Sequence, residues 1–466
     1  MTARILLLAL AALILFQLFG NLLPTLIRKD LTADEQQEIR HLRVTSDTPG
    51  PERVRLITDN TEALEYRIRA IESAQHDIIL STFCFMEHAS GKDLSAALLH
   101  AADRGVQVRI LVDGYHGTHY FFRNHYADAL ASHPNVTIRL YNRPSPGKPW
   151  RWNYRMHDKY LIIDDQIFLL GGRNTEDRFL GKDCSWDQPV YDLDFLVYNS
   201  TARRDGSLAD LQEYFASVWD LSTNRSHPVG SDDADIRAAR EELTVRYRNL
   251  STKFPGAFSE TDWEEATVPS GKVTLLHGDP RPRNKTPFVE SAVLSLMSRG
   301  TQATRTSPYV ILDRRMREQL TEACKDTQIC LILNSPQTGN NPLGSADFLK
   351  NRPKVLQTGV TTYELHTRPI HAKSVVIDDR ISIVGSLNYD IRSTYQDTEL
   401  MLVVDSEPVN RQLRAQIGAL EDRSVRTDPD GTETEGSRLV RGELDRIHRF
   451  GYRVLGLFDG LLRNLY

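Results

Sequence analysis

A constellation of histidine, lysine, aspartate and asparagine residues occurs twice along the chain. In each copy a lysine follows the histidine by two positions, an aspartate follows the lysine by five, and two small residues precede the asparagine. The two sets match at every offset and lie 214 residues apart: His157, Lys159, Asp164, Gly171, Gly172 and Asn174, and His371, Lys373, Asp378, Gly385, Ser386 and Asn388. Side chains two apart on a strand point to the same face. Two such strands brought together would therefore surround an anion with two imidazoles and two ammonium groups.

These residue types suit displacement at a phosphodiester. The reaction needs a nucleophile, an acid for the departing oxygen and positive charge on the phosphoryl oxygens. Histidine serves as nucleophile or as acid/base near neutral pH, so His157 and His371 can divide the roles. One would become a phosphohistidine, while the other would protonate the leaving oxygen and later activate the acceptor.

The lysines and asparagines of the motifs are candidate phosphate-binding residues. Lys159 and Lys373 would supply the charge that many phosphoryl enzymes take from metal ions, and the amides of Asn174 and Asn388 would donate to the same oxygens. We therefore expect neither a cofactor nor a metal. A metal site is also disfavoured because a lysine ammonium beside each histidine repels a cation.

Four carboxylates complete the candidate site. Asp194 and Glu399 lie on the strand after each motif hairpin and are candidates to orient the histidines by accepting a hydrogen bond from the far ring nitrogen. Asp164 and Asp378 belong to the doubled motif and stay in the candidate catalytic set. Their position after the motif strand nevertheless favours a role in holding the hairpin turns.

Strands that alternate with helices predict an α/β fold with crossover connections, and the pattern before the middle of the chain recurs after it. The sequence thus predicts two pseudo-symmetric α/β/α repeats. Residues 423–438 are predicted as a loop. The predicted organisation is an N-terminal membrane anchor or signal segment (1–29), a tether (30–53), a first repeat (54–200), a helical connector (201–270), a second repeat (271–408) and a C-terminal helical or amphipathic segment (409–466).

The bulk composition is that of a globular protein, with 40% hydrophobic and 26% charged residues in 466. The net charge of -5 argues against a protein whose main task is to coat nucleic acid, which usually carries a strong basic excess. We therefore expect no nucleic-acid partner.

Both ends of the chain point to a membrane. Apolar residues run from Ile5 to about Leu26 between Arg4 and the pair Arg28 and Lys29, which favours an uncleaved anchor over a removed signal peptide or a buried helix. The C-terminal segment either lies on a membrane interface or packs on the domain. Its apolar residues recur at helical spacing: Leu444, Ile447, Phe450, Val454, Phe458, Leu461 and Leu465.

The doubled motif and its flanking segments resemble the phospholipase D superfamily over about residues 60 to 405, and within it the bacterial cardiolipin synthases of the C type. The segments that carry the resemblance are 101–113, 155–159, 171–174, 192–194 and 385–393. The resemblance implies two repeats packed face to face around a shared cleft. It further implies that a phosphatidyl group passes between lipids through a phosphohistidine, with His157 as nucleophile and His371 as general acid/base, although the symmetry allows the reverse.

Three functions follow from these observations. The first is a phospholipid phosphatidyltransferase or phospholipase D with phospholipid substrates, held at the bacterial inner membrane on a side that is left open, the periplasm included. The second is a nuclease or other phosphodiesterase of the same superfamily, acting on single-stranded nucleic acid. The third is a catalytically silent lipid-binding protein, which the intact double motif disfavours.

Overall fold

The computed structural model describes the chain except for residues 1, 122–124, 183–188, 202–204, 228–232, 340, 443, 458–459, 461–462 and 466. The α-helices are α1 Thr2–Leu22, α2 Ala33–His41, α3 Asn60–Ser73, α4 Ala89–Asp103, α5 Gly114–His119, α6 His125–Ala131, α7 Ser207–Trp219, α8 Ala234–Lys253, α9 Phe288–Met297, α10 Arg314–Ala323, α11 Pro342–Leu356, α12 Ile391–Tyr395, α13 Glu407–Glu421 and α14 Arg446–Leu457. Short 3-10 turns lie at Leu23–Leu26, Pro149–Arg151 and Pro255–Phe258.

The strands divide between the two halves of the chain. In the first half and the connector they are β1 Glu52–Ile57, β2 Asp77–Thr82, β3 Gln107–Asp113, β4 Val136–Tyr141, β5 Tyr160–Ile163, β6 Ile167–Gly171, β7 Asp194–Asn199, β8 Arg225–Ser226 and β9 Val268–Pro269. In the second half they are β10 Lys272–His277, β11 Gln302–Thr306, β12 Val310–Ile311, β13 Gln328–Asn334, β14 Thr361–Leu365, β15 Ser374–Ile377, β16 Ile381–Gly385, β17 Tyr389–Asp390, β18 Leu400–Asp405, β19 Ser424–Thr427 and β20 Glu433–Glu435.

The two halves build matching sheets. The first sheet has the order β8-β4-β3-β2-β5-β6-β7-β1-β9, and the second has β20-β19-β14-β13-β11-β15-β16-β18-β10. In each sheet three neighbouring strands are parallel, and the motif hairpin adds antiparallel strands beside them. The predicted α/β fold with two pseudo-symmetric repeats is confirmed.

Side-chain alternation along the central strands decides how the repeats pack. Leu161 and Ile163 of β5 point outward into a core with the helices of their own repeat. Tyr160 and Ile162 point the other way, into a core that both sheets share and to which the second repeat contributes residues such as Val376. The helices α7 and α13 add apolar residues to this shared core. The sheets therefore pack face to face, with the remaining helices on the outside.

Three segments differ from the expected organisation. The tether contains α2, because Thr32 and Glu35 form a reciprocal capping box at its start. The connector supplies β8 and β9 to the edges of the first sheet as well as two long helices. The loop predicted for residues 423–438 is wrong, because β19 pairs with β14 on one side and β20 on the other and buries Val425 there.

The terminal helices expose apolar surface. Residues Arg4–Leu26 are long and apolar enough to cross a membrane, and the most apolar part of this stretch has no buried residue, whereas Thr25 near its end is buried. Helix α14 packs on α11 through Tyr452 and Gly456, whereas Ile447 and Phe450 are exposed. Phe458 and Leu461, which were expected to extend the same apolar face, lie outside the described residues.

The motif aspartates fasten the hairpin turns to the neighbouring strands. Asp164 and Asp378 both have a positive φ, of 49° and 45°. The Asp164 carboxylate accepts hydrogen bonds of 2.9, 2.9 and 2.7 Å from the backbone N–H groups of residues 75–77, where β2 begins. Asp378 accepts in the same way from Thr301 and Gln302 at the start of β11. The repeated aspartate is therefore a feature of the fold.

Replacement of Asp164 by alanine tests this role, because it leaves three backbone N–H groups without their acceptor. We expect Asp164→Ala to lower the free energy of unfolding by about 2 kcal/mol in urea titrations. The control is Asp165→Ala in the same turn, where the lost hydrogen bond comes from the side chain of Gln212, and we expect a change within about 0.5 kcal/mol. Equal midpoints for the two variants would contradict the assignment.

Candidate active site between the two repeats

The motif histidines lie where the two repeats touch. Segments 157–159 and 371–373 immediately precede β5 and β15, so the histidines are not on the strands as the sequence led us to expect. The reason is that the backbone here bonds to the opposite repeat. The N–H of the first residue of each segment donates to the carbonyl of Thr398 (3.3 Å) and of Tyr191 (2.8 Å), respectively.

Each histidine is held by a carboxylate from the opposite repeat. Nδ1 of His157 lies 2.9 and 3.1 Å from the carboxylate oxygens of Glu399. Nδ1 of His371 lies 2.6 Å from Oδ2 of Asp192. An Nδ1–H that donates to a carboxylate leaves Nε2 unprotonated, which is the form a nucleophile or a base requires.

The expectation that Asp194 orients a histidine is wrong. Its carboxylate lies instead between two buried arginines, with Oδ2 2.9 Å from Nη2 of Arg67 and 3.2 Å from Nη1 of Arg173. Arg173 also donates to the backbone carbonyl of Asp192 at 2.6 Å, so this cluster fixes the segment that presents the orienting carboxylate.

The strand register identifies the equivalent positions. Gly171 pairs with Asp194 in the first repeat, whereas Gly385 pairs with Met401 in the second. Two residues before Met401 is Glu399, so its counterpart lies two residues before Asp194, at Asp192. Asp192 and Asp194 are both acidic and two positions apart, so the strand register is needed to tell which of them is equivalent to Glu399.

The small residues of the motif leave room for these carboxylates. A Cβ atom on Gly172 would lie 2.2 Å from Oδ1 of Asp192, and one on Gly171 would lie 2.3 Å from the carbonyl of Leu193. In the second repeat Ser386 occupies the position of Gly172 and donates its hydroxyl to Glu399 at 2.5 Å. The Gly-Gly and Gly-Ser pairs thus set how closely the carboxylate strand approaches.

Both motif lysines are buried in the site. The ammonium group of Lys159 donates to the carbonyl of His157, and that of Lys373 lies 3.0 Å from the ring nitrogens of His371. Burial lowers the pKa of Lys159 to about 8 and that of Lys373 to about 7, against the opposing effect of nearby carboxylates. Both lysines therefore lose their charge more readily than an exposed lysine does.

Burial also decides the protonation of the histidines. It lowers the pKa of His157 well below its usual value, and it raises the pKa of Glu399 well above the usual carboxyl range. Burial and Lys373 lower the pKa of His371 to about 4. Burial alone would raise the pKa of Asp192, but the interaction and hydrogen bond with His371 and, after them, the charges of Lys373 and Arg173 lower it to about 2. At neutral pH the site thus holds two neutral imidazoles and an ionised Asp192.

The remaining motif residues divide into two groups. Asn174 and Asn388 are buried, and within the described residues the Oδ1 atom of each has no hydrogen-bond partner. Asp164 and Asp378 lie at the far end of the motif strands, roughly 16 Å along the chain from the lysines. The structure therefore removes both aspartates from the candidate catalytic set.

A cavity of about 730 Å³ opens above His157 and Asn388. Phe83 and His116 also line it. The ring of Phe83 lies 5.0 Å from that of His157 and 4.2 Å from that of His116. No repeated motif surrounds His116, so the sequence carries no signal that would place it in this cavity. Asn21, at the end of α1, lines the same cavity.

Clusters that would hold a metal are not found in the part of the chain that the structure describes. Within those residues no group of three or more histidine, cysteine, aspartate and glutamate side chains is arranged for a metal ion. The positive charges beside the imidazoles are those of Lys159 and Lys373.

Comparison with known proteins identifies relatives of the chain. The family model described as "Cardiolipin synthase, PLD-like domain" (PLD, phospholipase D) matches residues 67–219 and 293–420. Cardiolipin synthase C of Escherichia coli strain K12 is 28% identical over 78% of this chain and 84% of its own length. Cardiolipin synthase A of Yersinia pseudotuberculosis is 24% identical over 76% of this chain and 66% of its own length. A crystal structure of phosphatidylserine synthase from Haemophilus influenzae has a TM-score of 0.62 at 12% identity, over 93% of this chain and 99% of that one.

The cross-repeat pairing predicts how the imidazole of His371 responds to substitution. Asp192→Asn removes the charge that holds Nδ1–H, so we expect the ¹⁵N spectrum of His371 to show a mixture of tautomers in place of one. Asp194→Asn is the matched change at the other carboxylate, and because its amide oxygen can still accept from Arg173 it should leave the tautomer unchanged. The reverse result would restore Asp194 as the orienting residue.

Proposed function

We propose that this chain, which belongs to the family of cardiolipin synthase phospholipase D-like domains, transfers a phosphatidyl group from one phospholipid to a hydroxyl group of another through a phosphohistidine. It is an enzyme of the phospholipase D superfamily, with phosphatidyltransferase or phosphodiesterase activity. One observation carries the finer proposal: both imidazoles lie between the repeats, each held through Nδ1 by the other repeat's carboxylate.

In the first half-reaction Nε2 of His157 attacks the phosphorus of the donor lipid. The bond to the leaving alcohol breaks, and His371 gives its proton to the departing oxygen. Lys159 and Lys373 stabilise the charge that grows on the non-bridging oxygens. The incoming phosphodiester is itself an anion, so it favours the protonated form of His371 that this step requires.

In the second half-reaction the hydroxyl group of the acceptor gives its proton to His371 and attacks phosphorus. The bond between phosphorus and Nε2 of His157 breaks, and the product phosphodiester leaves with both histidines restored. Water in place of the acceptor alcohol would give hydrolysis by the same path, so exclusion of water decides the product.

The surroundings of the two histidines support their assignment. Asp192 is ionised and therefore stabilises a proton on His371, whereas the raised pKa of Glu399 gives weaker support to an imidazolium at His157. The proton carrier should be the more basic imidazole and the nucleophile the one that stays neutral. His371 thus serves as general acid/base and His157 as nucleophile.

A lipid substrate is supported by the position of the cavity. Asn21, at the end of an apolar helix long enough to cross a membrane, lines the same cavity as His157. We propose that this helix anchors the enzyme in the bacterial inner membrane and that phospholipids are its substrates. Incubation with phosphatidylglycerol should yield cardiolipin. Phosphatidic acid alone would contradict transfer, and cleavage of single-stranded DNA with unchanged lipid would contradict both.

The leaving group separates the roles of the two histidines. An aryl phosphodiester releases a phenolate that needs little protonation. His371→Ala should therefore still form a ³²P-labelled enzyme from labelled aryl substrate, while His157→Ala should form none and lose at least about 10³-fold in turnover. His76→Ala, at a position before β2, serves as the control for loss of a histidine. Labelling of His157→Ala but not of His371→Ala would reverse the assignment.

The lowered lysine pKa values predict the alkaline limb of the pH profile. Charged lysines are fully present below about pH 6 and are lost as the pH rises through about 7 for Lys373 and about 8 for Lys159. We expect kcat/KM to fall over this range, because it reports the free enzyme. Lys373→Arg keeps its charge and should remove the first inflection, whereas Lys325→Arg on the surface should not. An alkaline limb that begins only near the ordinary lysine pKa of about 10 would contradict this reasoning.

A further inference from the structure

A loop at the rim of the cavity packs along the apolar N-terminal helix. We call residues 143–153 the rim loop. Nε2 of Gln17 donates to the carbonyl of Pro146 at 2.8 Å, and the rings of Phe16 and Trp150 meet edge to face at 6.3 Å. Nδ2 of Asn153 donates to the side chain of Asn21 at 2.7 Å. The contacts follow more than one turn of the helix.

A glycine in the helix permits this approach. A Cβ atom on Gly20 would lie 2.5 Å from Cγ of Pro149 and 3.1 Å from its Cβ. Small residues have the same use where membrane helices pack closely on a neighbour. The close packing of α1 on the rim loop therefore depends on the glycine at position 20, because a larger residue there would clash with Pro149.

The length of the apolar stretch fixes the depth of the loop. Residues Arg4–Leu26 make 23 residues, and a helix of that length is about as long as the hydrocarbon core is thick, roughly 30 Å. Before the end of this stretch at Leu26, Phe16 lies about 15 Å deep and Asn21 about 8 Å deep. A helix that spans the bilayer therefore carries the rim loop below the level of bulk water.

The composition of the rim loop suits the boundary between headgroups and acyl chains. Trp150 is 44% exposed although it is a large aromatic residue, and Trp152 follows two positions later. Arg143, Lys148 and Arg151 add three positive charges. Tryptophan is enriched at membrane interfaces, and basic residues there bind the phosphates of anionic lipids.

We propose that the rim loop is immersed in the interfacial layer of the membrane and forms a lateral entrance through which phospholipid headgroups reach the cavity. The loop has one side on the helix and the other on the cavity, which Arg143, Pro146 and Trp152 line. This inference rests on the proposed lipid-processing function and adds the route of entry. A substrate that enters here never has to leave the bilayer completely.

The position of the loop is tested by fluorescence, independently of activity. The full-length protein is placed in nanodiscs with lipids brominated near the headgroup end of the acyl chains, which quench tryptophan on contact. We expect Trp150→Phe to abolish a large share of the quenching seen with the wild-type chain. Trp263→Phe removes a tryptophan of the connector that is buried in the core of the first repeat. The fluorescence lost to quenching should be the same in this variant as in the wild-type chain. Equal quenching in wild type and Trp150→Phe would overturn the proposal.

The entrance itself is tested by comparing two forms of one substrate. Trp150→Ser should lower turnover of bilayer phosphatidylglycerol by about tenfold, with turnover of monomeric short-chain phosphatidylglycerol changed by less than about twofold. The matched control is Val245→Ser on α8, an apolar residue that is 49% exposed on the connector, and it should change neither rate. Equal loss on both substrates, or loss on neither, would overturn the entrance. A wild-type chain inactive on both would contradict the proposed function, while quenching would still decide the position of the loop.

Discussion

The hydrogen bond that each repeat extends to the other repeat's histidine is the constraint on which this structure depends. Glu399 holds His157 and Asp192 holds His371, so neither repeat contains a complete imidazole–carboxylate pair of its own. The backbone makes matching contacts between the repeats. The N–H of His157 donates to the carbonyl of Thr398, and the N–H of His371 donates to the carbonyl of Tyr191. Face-to-face packing of the sheets is therefore a requirement of the site, and the shared apolar core between the sheets supplies the free energy that holds it.

Burial gives the site its electrostatic character. Two lysines, two imidazoles and two carboxylates lie in a space from which water is largely excluded, and such groups either pair or lose charge. Burial accordingly lowers the pKa values of Lys159 and Lys373 and raises the pKa of Glu399, so all three groups lose charge more readily than they would in water. A bound phosphodiester anion would restore the lysine charges. The lysine charges are therefore strongest when the substrate is bound. Charges of this kind stabilise the transition state more than they stabilise the free enzyme.

The sequence predicted the α/β fold, the repeats and the paired histidines because these depend on local patterns that recur at fixed offsets. It failed where the answer depends on pairing across the repeats. Asp192 and Asp194 are both acidic and two positions apart, and only the register of Gly171 against Asp194 tells which one faces His371. Asp164 belongs to the repeated motif because the hairpin turn must be fastened to β2, a conclusion that needs its three backbone partners. The edge strands β19 and β20 were missed because an edge strand is stabilised by its neighbour more than by its own sequence.

The proposed chemistry and the proposed membrane contact are linked through one short stretch of chain. Asn153 contacts the N-terminal helix at Asn21, and His157 follows only four residues later, a chain distance of at most about 14 Å. Arg392 ties this stretch to the second repeat, because it donates to the carbonyl of Asn153 and pairs with Asp397, whose carboxylate accepts from the N–H of Arg155. The distance between the membrane interface and His157 is therefore fixed by the few intervening residues of the chain and by the buried polar contacts of Arg392. A phospholipid that reaches the rim loop with its acyl chains still in the bilayer can present its phosphate to His157, so the membrane supplies part of the positioning that a soluble enzyme would have to build from protein.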